Sequence, residues 1–485
     1  MKNIIEKIKK SVLIKRTTTI IFMLVIVALF IVLTLWVNSL NLEPIDFTSE
    51  KLHTLTQKSK EQLKNVQKEV NMYFVGYSEG DSLIDLAKQY KAANDKINVE
   101  VINATTRPDL VEKYAIEGNS NGIIVEGNGK SKILSENDFY TYDPKTFEQI
   151  DIKEEKLTNS ILYVVAEKIP TVYFLEGYSE FSISQNMNYL SMYLANEITQ
   201  YKTLNILSTG SIPEDCDTLI ITSPERDFDD VATNSITNYI NNGGNILWFN
   251  LALTENKDLP NVNKILGMYG IKPFEVGVIN ETDRSKMMSG AQSIIIPNVN
   301  YSTITKNIPS ALLVNASKIN FVTDEELESL KVTKNILLEA SEGAFFRTNL
   351  GITSNSKQEG EEEGPFVVGA EMQKKISEVN AETGESEKIS KLVIYGENVF
   401  ISDLTLTQTS SYPIISYSYN KDLVIDSMSY LVERQQDIVI RKDTNTVKYE
   451  ATVEQDNIIQ GIIFGVPVVL IFVGILVWQH RRRKK

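Results

Sequence analysis

Glu176 and Glu180 flank Gly177-Tyr178-Ser179 directly after the apolar run Thr171-Val-Tyr-Phe-Leu175. Two nearby carboxyl groups can divide acid and base work, as in glycoside hydrolysis, and α/β sheets place ligands at the carboxyl ends of their strands. Glu176, Gly177 and Glu180 therefore form a candidate ligand or interface loop, and carboxylate-dependent glycan hydrolysis is the reaction such a pair would support. A polar loop at a domain interface is the plainer reading, and it is preferred. The nearest thing to a phosphate loop is Glu126-Gly127-Asn128-Gly129-Lys130-Ser131. A P-loop needs glycine five residues before its Gly-Lys-Ser, so that backbone amides can wrap the phosphates. Ile124 stands there instead, which leaves a hairpin turn and no nucleotide site.

The remaining reactive residue types are scarce. Cys216 is the only cysteine, and the two histidines are His53 and His480. A cysteine nucleophile needs a base within hydrogen-bond reach, and neither histidine is near it in sequence, so Cys216 reads as a structural thiol. The same shortage removes histidine-based zinc sites and serine triads. With no Cys-x-x-Cys there is no thioredoxin-type redox chemistry, and one cysteine forbids an intrachain disulfide. Glu361-Glu362-Glu363 lacks the spaced ligands of a calcium loop and reads as part of an exposed acidic linker. No catalytic residue, cofactor or metal is expected, and the chain is read as a non-enzyme.

The elements that would carry these loops follow from periodicity. Val70–Val75 and Ile97–Ile102 read as strands around an amphipathic helix over 82–94, followed by a short helix near 108–114 and strands at 122–126 and 131–134. That order suggests a small thioredoxin-like α/β domain. A second α/β series begins with a strand at 171–175 and continues with strands at 203–207, 217–222 and 245–250, separated by helices at 186–198 and 229–242. Strands alternating with helices imply a parallel sheet covered on both faces. From about residue 272 the pattern turns to short strands and irregular acidic loops, and Lys391-Leu-Val-Ile-Tyr395 resumes the buried-strand pattern.

Two uncharged apolar runs bracket this middle, between Arg16 and Glu43 and between Asp456 and Arg481. Each is long enough for a membrane helix, which needs roughly 20 apolar residues. Lysines and arginines lie on the terminal side of both, so both ends are expected in the cytoplasm. The reading is a two-pass plasma-membrane protein with its large middle outside. Gly461 and Gly465 have the spacing that lets membrane helices pack closely. The chain carries a formal charge of −14, although its two ends are basic. The middle is more acidic still, which excludes nucleic acid as a partner, because that binding rests on phosphate neutralisation by lysine and arginine.

The succession of features resembles gliding-motility-type (GldG-like) ABC-transporter auxiliary proteins. The resemblance rests on Asp46-Phe47-Thr48 with Lys51-Leu52-His53-Thr54-Leu55, on Glu176-Gly177-Tyr178-Ser179-Glu180, and on Ile212-Pro213 before Asp217. Tyr239-Ile-Asn-Asn-Gly243-Gly244, Tyr269-Gly270-Ile271 and Leu392-Val-Ile-Tyr-Gly396-Glu-Asn are similar as well. Tyr178-Ser179 before Glu180 departs from the family's glycine-histidine-glutamate stretch, which weakens any ligand site there. The resemblance implies a non-catalytic subunit acting with a separate permease and ATPase, and a sheet domain like class I glutamine amidotransferases without their active residues. The expected architecture is then α/β, with two transmembrane helices flanking a thioredoxin-like domain and a flavodoxin/glutamine-amidotransferase-like parallel-sheet domain that carries a β-rich insertion. Its parts are a basic end at 1–18, a span at 19–40, the thioredoxin-like domain at 41–150 and the amidotransferase-like domain at 151–275. The insertion follows at 276–390, the return to the sheet at 391–457, the second span at 458–478 and a basic tail at 479–485. Partners are the permease, the ATPase and the lipid bilayer, with a homo-oligomer left open. A surface glycan hydrolase and an adhesion scaffold are the competing functions.

Overall fold

Apolar residues at every second position of Val70–Val75 (β1) and a fully apolar Gly122–Val125 stretch within Gly122–Gly127 (β3) build the centre of a four-stranded sheet. Ile97–Ile102 (β2) and Lys130–Ser135 (β4) complete it in the order β2-β1-β3-β4. β1 runs parallel to β2 and antiparallel to β3, and β4 is antiparallel to β3. Asn128 and Gly129 join β3 to β4 with φ of 51° and 75°, the left-handed pair that a two-residue hairpin turn requires. The helix Ser82–Ala93 crosses from β1 to β2 and buries Leu83, Leu86, Ala87 and Tyr90. The helix Lys153–Val165 adds Leu157, Ile161 and Val164 to the same core. Between these helices the buried Tyr90 hydroxyl lies 2.8 Å from Thr158 Oγ1 and donates to the Glu154 carbonyl, so its polar end is satisfied.

The computed structural model describes residues 55–432 except 104, 115–120, 143–148, 197–198, 378–387 and 408–411, with the isolated positions 28 and 32. Within them a second, eight-stranded sheet is built from Thr171–Leu175 (β5), Gln200–Leu204 (β6), Thr218–Thr222 (β7), Asn245–Phe249 (β8), Asn298–Val299 (β9), Val332–Glu339 (β10), Val367–Ser377 (β11) and Lys388–Tyr395 (β12). Its order is β9-β10-β11-β12-β8-β7-β5-β6. The five strands β6-β5-β7-β8-β12 are all parallel. Numbered along the chain they run 2-1-3-4-5, the flavodoxin-type order.

Side chains alternate between the faces of this sheet. Val172, Phe174, Ile220, Leu247, Phe249, Val393 and Tyr395 point to one core, which the helices Asn188–Asn196 and Asn420–Leu431 cover. Tyr173, Leu219, Ile221, Ile246, Trp248 and Ile394 point to the other, under the helices Asp230–Asn241 and Pro260–Gly267. β5, β7 and β8 are buried along their whole length, which is why they read as uninterrupted apolar runs.

Two expectations are corrected. The sheet is mixed rather than parallel: β11 pairs antiparallel with β12, β10 with β11 and β9 with β10. The strand-rich stretch 276–390 thus extends the main sheet by three strands instead of standing wholly outside it. Its burial pattern explains why this was hard to read, since β10 is exposed over Thr333–Asn335 and buried at Leu337 and Leu338, with no clean alternation.

The second correction concerns the membrane. Among the described residues no helix is long and apolar enough to cross one. The helix Lys153–Val165 has 13 residues, well short of the roughly 20 that a span requires. The two expected spans, 19–40 and 458–478, and the Gly461–Gly465 pair lie outside the described residues, positions 28 and 32 apart. The supported architecture is α/β with mixed sheets. The expected two-pass plasma-membrane placement is thereby overturned, since among the described residues no helix supports a span.

Candidate functional site

The parallel order reverses between β5 and β7, and at such a switch point the carboxyl ends of the strands open a crevice. The loop Glu176–Glu180 leaves β5 there, and the segment 223–229 leaves β7. Gly177 takes a φ of 98°, a left-handed turn that glycine adopts without the Cβ penalty. This turn drives Tyr178 inward. Tyr178 is 5% exposed, and its ring meets Phe228 edge-on at 5.0 Å between centroids. Its carbonyl accepts hydrogen bonds from Glu225 N at 2.8 Å and Arg226 N at 3.4 Å, while the Arg226 guanidinium lies 5.6 Å over the ring. The phenol donates to Asp229 Oδ2, and Asp229 Oδ1 caps the helix Asp230–Asn241 by accepting from Ala232 N at 2.9 Å.

These donors hold the Asp229 carboxyl below its usual range, the Tyr178 hydroxyl first and the Ala232 N–H next. Burial and the same hydrogen bond push the Tyr178 phenol well up. Tyr178 is therefore a bolt between two loops. Removing its hydroxyl in Tyr178→Phe leaves a capping carboxylate one donor short, and a hydrogen bond to a charged group is worth about 1.5–3 kcal/mol. Urea unfolding should register a loss of that size.

The two glutamates of the candidate loop are tied to different neighbours. Glu176 donates its N–H to the Leu204 carbonyl at 2.9 Å, extending the β5–β6 ladder. Glu180 is exposed, and its N–H donates to Glu225 Oε1 at 3.3 Å. Among the described residues no hydrogen bond joins the two carboxyl groups. Sequence reasoning missed Tyr178, the residue that organises the loop. A lone aromatic between two charged residues after a strand end was the available signal.

Ser223 stands just past β7 with a φ of 42°. A left-handed residue immediately after a strand is the geometry of a nucleophile elbow. Here the side chain is 2% exposed, its hydroxyl donates to the Phe249 carbonyl at 3.4 Å, and no histidine lies among the described residues. Without a base to take its proton, the hydroxyl stays inert. Cys216 is 8% exposed, with Sγ 3.6 Å from the Tyr239 hydroxyl, and burial pushes its thiol up to about 12. A thiol so far above neutrality holds almost no thiolate. It lines a cavity of about 830 Å³ near the amino ends of β7 and β8, opposite the crevice. No group of three or more His, Cys, Asp or Glu among the described residues could hold a metal ion.

Within the acidic run Glu361–Glu363, expected as an exposed linker, Glu362 and Glu363 are exposed and the Glu361 side chain is buried. Glu361 pairs with Arg347 at 2.8 Å, the two side chains 6% and 7% exposed. Glu362 meets Lys318 at 2.6 Å, and Glu363 meets Lys357. Each carboxylate faces its own cation, supplied by residues 6 to 44 positions distant in sequence that a local reading of charge does not connect.

Residues 169–272 match the family model of ABC-transporter auxiliary components, described as an ABC-type uncharacterized transport system. The segment begins just before β5 and ends after the helix Pro260–Gly267, so it contains the whole switch-point crevice. A solved structure titled "mmIFT52 N-terminal domain" is similar at 14% identity and a TM-score of 0.35, covering 54% of this chain and 96% of that one. No curated protein matches the chain.

Proposed function

We propose that this chain is a non-catalytic auxiliary subunit of an ABC-type transport system and docks on a separate permease and ATPase. The match over 169–272 carries the reading. The local chemistry supports it. Glu126–Ser131, the nearest approach to a phosphate loop, is a β-hairpin turn, so ATP chemistry falls to a partner. In this reading the loop Glu176–Glu180 is a docking element. Tyr178 pins it to the framework while Glu180 remains exposed.

A photo-crosslinking residue placed at Glu180 in cells tests the docking. Adducts with a permease or ATPase subunit are the expected result. Adducts only between copies of this chain, or with no transporter subunit, would refute this face as the docking element.

A further inference from the structure

The carboxyl ends of β8 and β12 enclose a second cavity of about 520 Å³, within the size range of small-molecule sites. It occupies the end of the sheet where α/β folds bind ligands. The segment after β8 gives one wall, Glu397 and Val399 after β12 the floor, and 350–355 the roof. Arg347 holds that roof by donating to the Ser354 and Ser356 carbonyls.

The charge of this cavity runs against that of the chain. The protein carries −14 overall, yet the lining holds Lys257 and Arg347 against one carboxyl, Glu397. Arg347 is spent on Glu361. Lys257 has only a loose ion pair, with Glu225 Oε2 at 4.0 Å, longer than a hydrogen bond. Glu397 is 1% exposed and already accepts from Val314, Val399 and Phe400 N–H groups. Burial pushes it up to about 8, so at neutral pH it is largely protonated and sets little negative charge against an anion. The side-chain amides of Gln292, Asn315 and Asn355 line the same space and make no hydrogen bond among the described residues. An open ammonium beside three uncommitted amides suits a small polar anion, and a planar carboxylate can accept from both kinds of donor.

We propose that this cavity binds a small organic carboxylate, received by the Lys257 ammonium and read along its polar substituents by Gln292, Asn315 and Asn355. The site needs no partner chain, so it stands or falls apart from the transport reading.

Calorimetric titration of the full chain tests it, with a panel of three- to seven-carbon hydroxy and amino carboxylates, their neutral carboxamides, and inorganic phosphate. At least one acid should bind with a Kd below about 1 mM, its carboxamide at least about tenfold weaker, a difference of about 1.4 kcal/mol. Lys257→Met should lose at least about tenfold and the roof variant Asn355→Ala a smaller factor, both with unchanged circular dichroism. Should Lys257→Met fail to fold, Asn355→Ala and the acid-to-amide ratio still decide. The proposal is overturned if no acid of the panel binds below about 1 mM, if phosphate alone binds, or if acid and amide bind equally.

Discussion

Arg347→Met should destabilise the protein by about 3–5 kcal/mol, the usual result of removing one partner from a buried ion pair. Arg347 leaves the strand Phe345–Arg347 with 7% of its side chain exposed, and its Nε and Nη2 reach Glu361 at 2.8 and 3.3 Å. The same guanidinium donates to the Ser354 and Ser356 carbonyls and lies 4.8 Å over the Phe345 ring. It organises the loop through residues 354–361 as well as neutralising Glu361. Its loss strands a carboxylate, 6% exposed, among groups that cannot replace five N–H donors in a fixed fork. Glu361→Gln should cost less than Arg347→Met, since an amide oxygen still accepts from the guanidinium. Arg347→Met combined with Glu361→Met should recover much of the loss, because two desolvated charges leave together. Denaturant unfolding of the wild type, Arg347→Met, Glu361→Met and the double Met variant closes the cycle. Hydrogen exchange should show the Arg347→Met opening first at 350–361.

The second large effect is a pH slope. Glu397 is pushed up from 4.5 to about 8, chiefly by burial and against the pull of three backbone N–H groups. For a carboxyl whose folded pKa lies above its unfolded value, the folded state holds a proton that the unfolded state releases. Stability is therefore fully present below pH 4.5 and is lost as pH rises through about 8. Between those limits the slope is about 1.4 kcal/mol per pH unit. Little else in the chain titrates from pH 6 to 8, because it has only two histidines and the Cys216 thiol lies far above. Urea midpoints measured at pH 6, 7 and 8 should fall steadily. Glu397→Gln should be weaker at pH 6, where its NH2 faces backbone donors, yet flat across the window. A wild-type midpoint that does not change from pH 6 to 8 would place the Glu397 proton elsewhere.

The parts of this architecture that were legible share one property, which is that local sequence carries their signal. β1 and β2 alternate because one face meets a core, and β5, β7 and β8 are buried throughout and mostly apolar because helices cover both faces. Asn128-Gly129 announces its own turn. The parts that were not legible depend on partners distant in sequence. β11 becomes a sheet strand by pairing Gly369 with Tyr395 and Ala370 with Ile394, and β10 by pairing with β11. Glu361 looks solvated until Arg347 is placed beside it. Tyr178 gains its role from Asp229, 51 residues away. The apolar pattern placed the loop after β5, as the structure does, but its two glutamates were expected to matter more than the tyrosine between them. Side-chain direction after a left-handed glycine is set by the loop that receives it, and no spacing rule encodes that.

That this chain is an auxiliary transport component, acting through partners that supply the ATP chemistry, is tested most directly by its stoichiometry. The tagged full-length chain would be purified from mild-detergent extracts and its companions quantified by mass spectrometry. An ATP-hydrolysing subunit and a multi-span permease at comparable copy number, with turnover abolished by a variant in the partner's phosphate loop, are expected. Recovery of this chain alone, turning over glycans without an ATPase, would contradict the assignment.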